Sequence, residues 1–136
     1  MAGAPVDSLQ QVPLFAGLDE AELQQVAALF KERRFPCGEV IIREGSEGAV
    51  FYVISSGEAE VNVGGMPRAM LRPGDHFGEI ALIDEGSRSA TVTAATDLVC
   101  FGLTFWDFGP FVQENGAVAW KLLQTLAGLL RVAQQR

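Results

Sequence analysis

The sequence predicts an α+β chain in which a series of short antiparallel strands, forming a sandwich or barrel, is flanked by helices. Glycine and proline break the middle of the chain, roughly Lys31 to Leu103, at Pro36-Cys37-Gly38, Gly45, Gly57, Gly64-Gly65, Pro73-Gly74 and Gly86. Between the breaks lie apolar runs of strand length, too short for helices. Both ends of the chain change to helical periodicity. Many short strands at this spacing argue for a sandwich or barrel and against a parallel α/β sheet.

Residues 1–30 read as a helical lead-in. Asp19 is placed to cap a helix, and Glu22 three residues later completes a capping box. Leu23, Val26, Ala27 and Phe30 then share one face. Ahead of them, Val12-Pro13-Leu14-Phe15 is an apolar, proline-broken segment expected to pack on the body of the domain. Residues 31–103 read as the β region. Val40-Ile41-Ile42 and Phe51-Tyr52-Val53-Ile54 are strands, and Glu58 to Val63 alternates polar and apolar, with one wet face and one dry face. Ala90 to Ala94 and Leu98 to Phe101 continue the series. Pro73-Gly74 fits a tight turn. Residues 104–136 are helical. Thr104 caps a short helix through Phe111, Asn115-Gly116 breaks it, and a longer helix runs from about Ala117 to Gln134. Its stripe of Ala119, Leu122, Leu126, Leu129 and Ala133, widened by Leu123 and Leu130, covers about two heptads, too few for a coiled coil. The expectation is a helix packed on its own domain, with a dimer helix as the alternative.

The length of 136 residues suits a single domain, and 49% hydrophobic residues are ample for a core. A net charge of −7 argues against direct binding to nucleic acid, though not against one small phosphate in a local pocket. No apolar run approaches the roughly 20 residues that span a bilayer, and no signal-peptide pattern is visible. Cys37 and Cys100 lack metal-ligand spacing and read as free thiols in a reducing cytoplasm, Cys100 as a small core residue. The single histidine, His76, rules out a histidine-rich metal centre. Neither a serine-hydrolase motif nor a P-loop or dinucleotide fingerprint is present. Catalysis is not expected, and neither is a cofactor.

One stretch stands apart. Phe77-Gly78-Glu79-Ile80-Ala81-Leu82, followed by Arg88-Ser89-Ala90-Thr91-Val92, sets a carboxylate and a guanidinium at the two ends of a ten-residue segment. Small residues lie where a ligand could approach the backbone. An acid beside backbone amides, with an arginine facing it, suits a sugar joined to a phosphate. Taken singly, Glu79 and Arg88 could be a surface ion pair and Gly78 a turn glycine; together these leave the spacing unexplained. The stretch resembles the phosphate-binding cassette of cyclic nucleotide-binding domains, the family of catabolite activator protein, protein kinase A regulatory subunits and cyclic nucleotide-gated channels. The resemblance covers almost the whole chain: Pro13-Leu14-Phe15 with Gly17-Leu18 is similar to the family's lead into its first helix. Gly45, Phe51 to Ile54 and Gly57 are similar to its third-strand signature, and Pro73-Gly74-Asp75 leads into the cassette, residues 77–91.

The resemblance implies an antiparallel β jelly-roll (double-stranded β-helix) with an N-terminal helix and C-terminal helices, the last acting as a lid. It implies a cyclic nucleotide as ligand, cyclic AMP in preference to cyclic GMP. Gly78 would let the ribose approach, and ionised Glu79 would accept a hydrogen bond from the 2′-hydroxyl. Amides of Ile80 and Ala81, opening a one-turn helix, would face the cyclic phosphate. Arg88 would supply the positive charge and a two-pronged donor, and the Ser89 hydroxyl and Ala90 amide further donors. Val61 and Leu71 match positions that line the family's pocket, though ordinary core packing suits them equally. Arg131, Gln134 or Gln135, near the end of the last helix, could reach the purine edge. Ser89 does not decide between the two nucleotides. The connection Asn62 to Arg68 is short and glycine-rich, closer to the compact form of bacterial channel-type domains. No residues follow Arg136 for the helix-turn-helix domain of the transcription-factor branch, and Met1 with its polar lead fits a natural N-terminus. The readings that follow are a freestanding sensor signalling through its last helix, the sensory fragment of a larger channel, kinase or transcription factor, and a degenerate domain kept for protein contacts. A protein partner is expected in each, and a homodimer is compatible with all.

Overall fold

The computed structural model describes residues 3–78 and 88–135. Among the described residues eight strands form two four-stranded antiparallel sheets: β1 (Lys31–Phe35), β2 (Val40–Ile42), β3 (Val50–Ser56), β4 (Ala59–Val63), β5 (Met66–Leu71), β6 (His76–Phe77), β7 (Thr91–Ala94) and β8 (Leu98–Thr104). The sheet orders are β1-β8-β3-β6 and β2-β7-β4-β5. This is the expected jelly-roll, with helices α1 (Val6–Gln10) and α2 (Glu20–Ala27) ahead of it and α3 (Phe105–Glu114) and α4 (Gly116–Gln134) after it.

The alternation along β3 organises the interior. Tyr52 and Ile54 point into a core between the two sheets with Ile42, Ala59, Val92, Ala94, Leu98 and Cys100. Phe51 and Val53 point the other way, into a core shared with the helices. There Phe51 meets Phe15 and Phe30 edge-on, with ring centroids 6.0 and 5.8 Å apart. A strand buried on both faces reads as an unbroken apolar run, which is why Phe51 to Ile54 lacks alternation in the sequence.

The N-terminal helices form as the sequence predicts. The Asp19 carboxylate accepts from the Glu22 amide at 2.8 Å, and Glu22 accepts from the Asp19 amide at 2.9 Å. Leu23, Val26, Ala27 and Phe30 are buried. At the other end, Thr104 accepts from the Asp107 amide at 3.1 Å. α3 then runs through Pro110 to Glu114, past the expected end at Phe111. Asn115 closes it, its side-chain amide donating to the Phe111 carbonyl at 2.6 Å.

Two expectations need correction. The connection expected over Asn62 to Arg68 is only Gly64-Gly65, with φ of 60° and 79°. Two successive positive-φ residues are what a two-residue hairpin of matching twist requires. Asn62 and Val63 belong to β4, and Met66, Pro67 and Arg68 to the edge strand β5, where a proline is tolerated. The second correction concerns α4, which packs on the domain only along its first half. Val118 and Leu122 are buried, whereas Leu129, Leu130 and Val132 are exposed. The first half is held to the N-terminal helices by Lys121, whose ammonium lies 2.7 Å from Glu22 Oε1 and 3.8 Å from Asp19 Oδ2. No helix among the described residues is long and apolar enough to cross a membrane.

The two thiols differ in setting. Cys37 is exposed, whereas Cys100 is buried between the sheets, and burial pushes its thiol up to about 12. Because the thiolate is the reactive form, a disulfide-exchange reagent at pH 8 is expected to modify Cys37 alone in the folded protein and both thiols in denaturant. Rapid modification of both before unfolding would show that the inter-sheet core is open.

Candidate functional site

The site is built around Arg88 and the loop between β2 and β3. The Arg88 amide donates to the Ser46 carbonyl at 2.7 Å, and the Gly45 amide donates to the Arg88 carbonyl at 2.8 Å. The main chain of Arg88 is thereby fixed to that loop. Its side chain reaches back along the same loop, and Nη2 donates to the Val50 carbonyl at 2.6 Å. Two glycines leave room for this course. A Cβ on buried Gly48 would overlap the Arg88 guanidinium, and one on Gly78 would come within 2.5 Å of Nη1 and 3.0 Å of the Val50 oxygen. Gly78 has φ of 87°, so its conformation as well as its surroundings call for glycine.

Arg88 is half-buried, and burial lowers its guanidinium from the usual arginine value, with nearby Tyr52 acting in the opposite sense. It stays cationic, since arginine in proteins is not deprotonated. Tyr52 is raised by its own burial, against the pull of Arg33 and Arg88. It packs on Phe77 with centroids 5.1 Å apart.

Arg88 borders a cavity of about 150 Å³ lined also by Ile42, Val61, Phe77, Gly78, Ser89, Ala90 and Val92. Register explains its apolar floor: Val92 on β7 lies opposite Ile42 on β2 and opposite Val61 on β4, so one row of side chains crosses the sheet. The lining also includes the polar residues Arg88 and Ser89. A mainly apolar lining with a cationic and a hydroxyl residue suits a ligand with a flat apolar part and an anionic part. Arg88 also lines a second hollow of about 310 Å³, with Arg43, Ser46, Glu47 and Tyr52 among its other residues.

Of the residues singled out in the sequence, Gly78, Arg88, Ser89, Ala90 and Val61 meet at the first cavity. Leu71 lies at the end of β5 opposite Ala59, half-buried against the inter-sheet core and away from the cavity lining. Arg131 is exposed in the last turn of α4. Glu79, Ile80 and Ala81 fall outside the described residues. Sequence reasoning did not single out Ile42, Phe77 and Val92 as lining, nor the Gly48 and Val50 backbone that receives Arg88. The alternation of β7, Thr91-Val92-Thr93-Ala94, was a signal for Val92 alone, since β2, Val40-Ile41-Ile42, is apolar throughout and marks none of its residues.

The family model described as cyclic nucleotide-binding domain matches residues 32–115. The chain is 41% identical over 92 residues to the cAMP-dependent protein kinase regulatory subunit of Emericella nidulans, covering 66% of this chain and 22% of that protein. It is 36% identical over 126 residues to the cyclic AMP receptor protein of Thermus thermophilus, covering 89% of this chain and 58% of that one. The crystal structure of the N-terminal domain of a transcriptional regulator from Streptomyces coelicolor superposes with a TM-score of 0.87 at 30% identity, over 95% of this chain and 96% of that one. The chain belongs to the cyclic nucleotide-binding domain family, and it spans about a fifth and just over half of the two full-length relatives.

Gly78→Ala forces a side chain into a left-handed conformation and against Arg88 and Val50. A loss of at least about 1 kcal/mol in folding stability is expected, read by urea denaturation. A variant as stable as the parent would mean that this turn is not held as described.

Proposed function

We propose that the chain is a non-catalytic cyclic nucleotide sensor, preferring cyclic AMP to cyclic GMP, that signals through movement of α4. The observation that carries this reading is the meeting of Gly78, Arg88, Ser89, Ala90 and Val61 around one cavity. In the proposal Arg88 and the Ser89 hydroxyl take the cyclic phosphate, and the Ala90 amide donates to it. Glu79 accepts from the ribose 2′-hydroxyl, and the amides of Ile80 and Ala81 complete the phosphate site. The base lies over Val61 and Val92. The names of the two relatives, one a cyclic AMP receptor and one a regulatory subunit of a cAMP-dependent kinase, support adenine as the base.

The exposed apolar residues in the distal half of α4, Leu129, Leu130 and Val132, give the helix a reason to close over a bound base. Arg131 in the same turn would approach the purine edge. Ligand can bias closure only by binding the closed form more tightly, and each tenfold difference shifts the equilibrium by about 1.4 kcal/mol. A protein partner, or a second copy of the chain, would read the change. The unpaired thiols suit a reducing, cytoplasmic setting.

Calorimetric titration with cyclic AMP, cyclic GMP and linear 5′-AMP tests the reading. Tightest binding is expected for cyclic AMP and weakest for the linear nucleotide; no binding of either cyclic nucleotide would overturn it. Arg88→Ala is expected to weaken binding by roughly 2–5 kcal/mol, because a buried phosphate loses its counter-charge. Unchanged affinity would remove Arg88 from the phosphate site. Truncation before Arg131 is expected to weaken cyclic AMP binding modestly, and an unaltered titration curve would refute the lid.

A further inference from the structure

We propose that Gly48 is a positioning residue for ligand binding: with the Val50 carbonyl it forms a socket that holds the Arg88 guanidinium in place before any ligand arrives. The inference rests on the cyclic nucleotide reading for its consequence, but not for the socket itself.

Gly48 is buried, and the three atoms nearest a Cβ built on it are Nε, Cζ and Cδ of Arg88. Unlike Gly78, it does not have a positive φ. Its backbone therefore does not itself call for glycine, and the nearest obstruction to a side chain is the arginine. The main chain of Arg88 is bound to the same loop through Ser46 and Gly45, and its Nη2 to Val50. Socket and occupant therefore belong to one piece of structure. Holding a long cationic side chain still matters, because arginine carries roughly 2 kcal/mol of rotamer entropy that binding would otherwise have to remove. A guanidinium already ordered at the cavity wall meets the anion without that loss.

The obstructing atoms lie at the end of a flexible side chain. The expected response to Gly48→Ala is thus that Arg88 leaves the socket while the domain stays folded. Three readouts follow. In ¹⁵N spectra of the ligand-free protein, the Arg88 Nε signal, assigned by its absence in Arg88→Lys, is expected to be resolved in the parent and shifted or broadened in Gly48→Ala. Cyclic AMP affinity is expected to fall at least tenfold in Gly48→Ala, and by less than about twofold when the same change is made in Arg88→Ala, a coupling that a merely structural glycine would not show. Should Gly48→Ala fold poorly, Gly48→Ala in the Arg88→Ala background is expected to melt with Arg88→Ala, because the obstruction is gone. The proposal is overturned by parent-like affinity and an unmoved Arg88 signal in folded Gly48→Ala. It is also overturned by an equal loss of affinity or stability in both backgrounds. If the parent binds no cyclic nucleotide while the Arg88 signal still depends on residue 48, the socket stands and the functional reading falls.

Discussion

A guanidinium held inside the edge of a β-roll sets the terms for the rest of this molecule. Arg88 is half-buried, and moving a cation out of water is unfavourable unless polar groups replace the lost hydration. The protein supplies a backbone carbonyl at Val50 to the guanidinium, while two main-chain hydrogen bonds fix Arg88 to the β2–β3 loop and Gly48 and Gly78 leave its side chain room. Among the described residues, the Val50 carbonyl takes one of the guanidinium's five donors. The same residue borders the apolar-floored cavity. The lowered proton affinity of Arg88 and the opposite influence of Tyr52 reflect the same balance of burial against neighbouring charge.

The loop can hold this charge because both ends of it are anchored. β3, which follows it, is buried on both faces and joins the inter-sheet core to the helical core through Tyr52 and Ile54 on one side and Phe51 and Val53 on the other. β2, which precedes it, contributes Ile42 to the cavity floor. The carbonyl of Val50 sits at the first residue of β3, so the acceptor for the guanidinium is as rigid as the core behind it. Such support is what keeps a binding group within a few tenths of an ångström of its working position.

Legibility in the sequence followed the range of the interaction responsible. The capping box at Asp19 and Glu22 and the Thr104 cap rest on contacts three residues apart, and the strands around Val40, Phe51 and Leu98 announce themselves by short apolar runs between breakers, so each was readable. Arg88 and Gly78 were readable as well, because they sit at a spacing that core packing does not require. β1 and β5 were hard to read: both are edge strands of largely exposed residues, without the buried-and-wet alternation that marks a strand. Ile42 looks like any core residue until strand register sets it in one row with Val92 and Val61, and Phe77 until the opposite sheet brings it to the same cavity. Gly48 lies beyond sequence reasoning altogether, since its importance comes from a side chain far along the chain. The exposed distal half of α4 was missed for a related reason, as an apolar stripe declares what could be buried without saying how far the supporting body extends.

Glu22 Oε1 serves two masters: it caps its own helix through the Asp19 amide and takes the ammonium of Lys121 from α4. The proximal part of α4 and the start of α2 are therefore geared together, and Thr125 rests where Gly17 leaves no side chain to push it away. Pulling the proximal helix outward would fray the opening turn of α2. Large displacements of α4 must then take one of two routes: the amino-terminal helices travel with it as a single lever, or the bending is confined to the turns after Leu126, where Gly128 offers the least resistance.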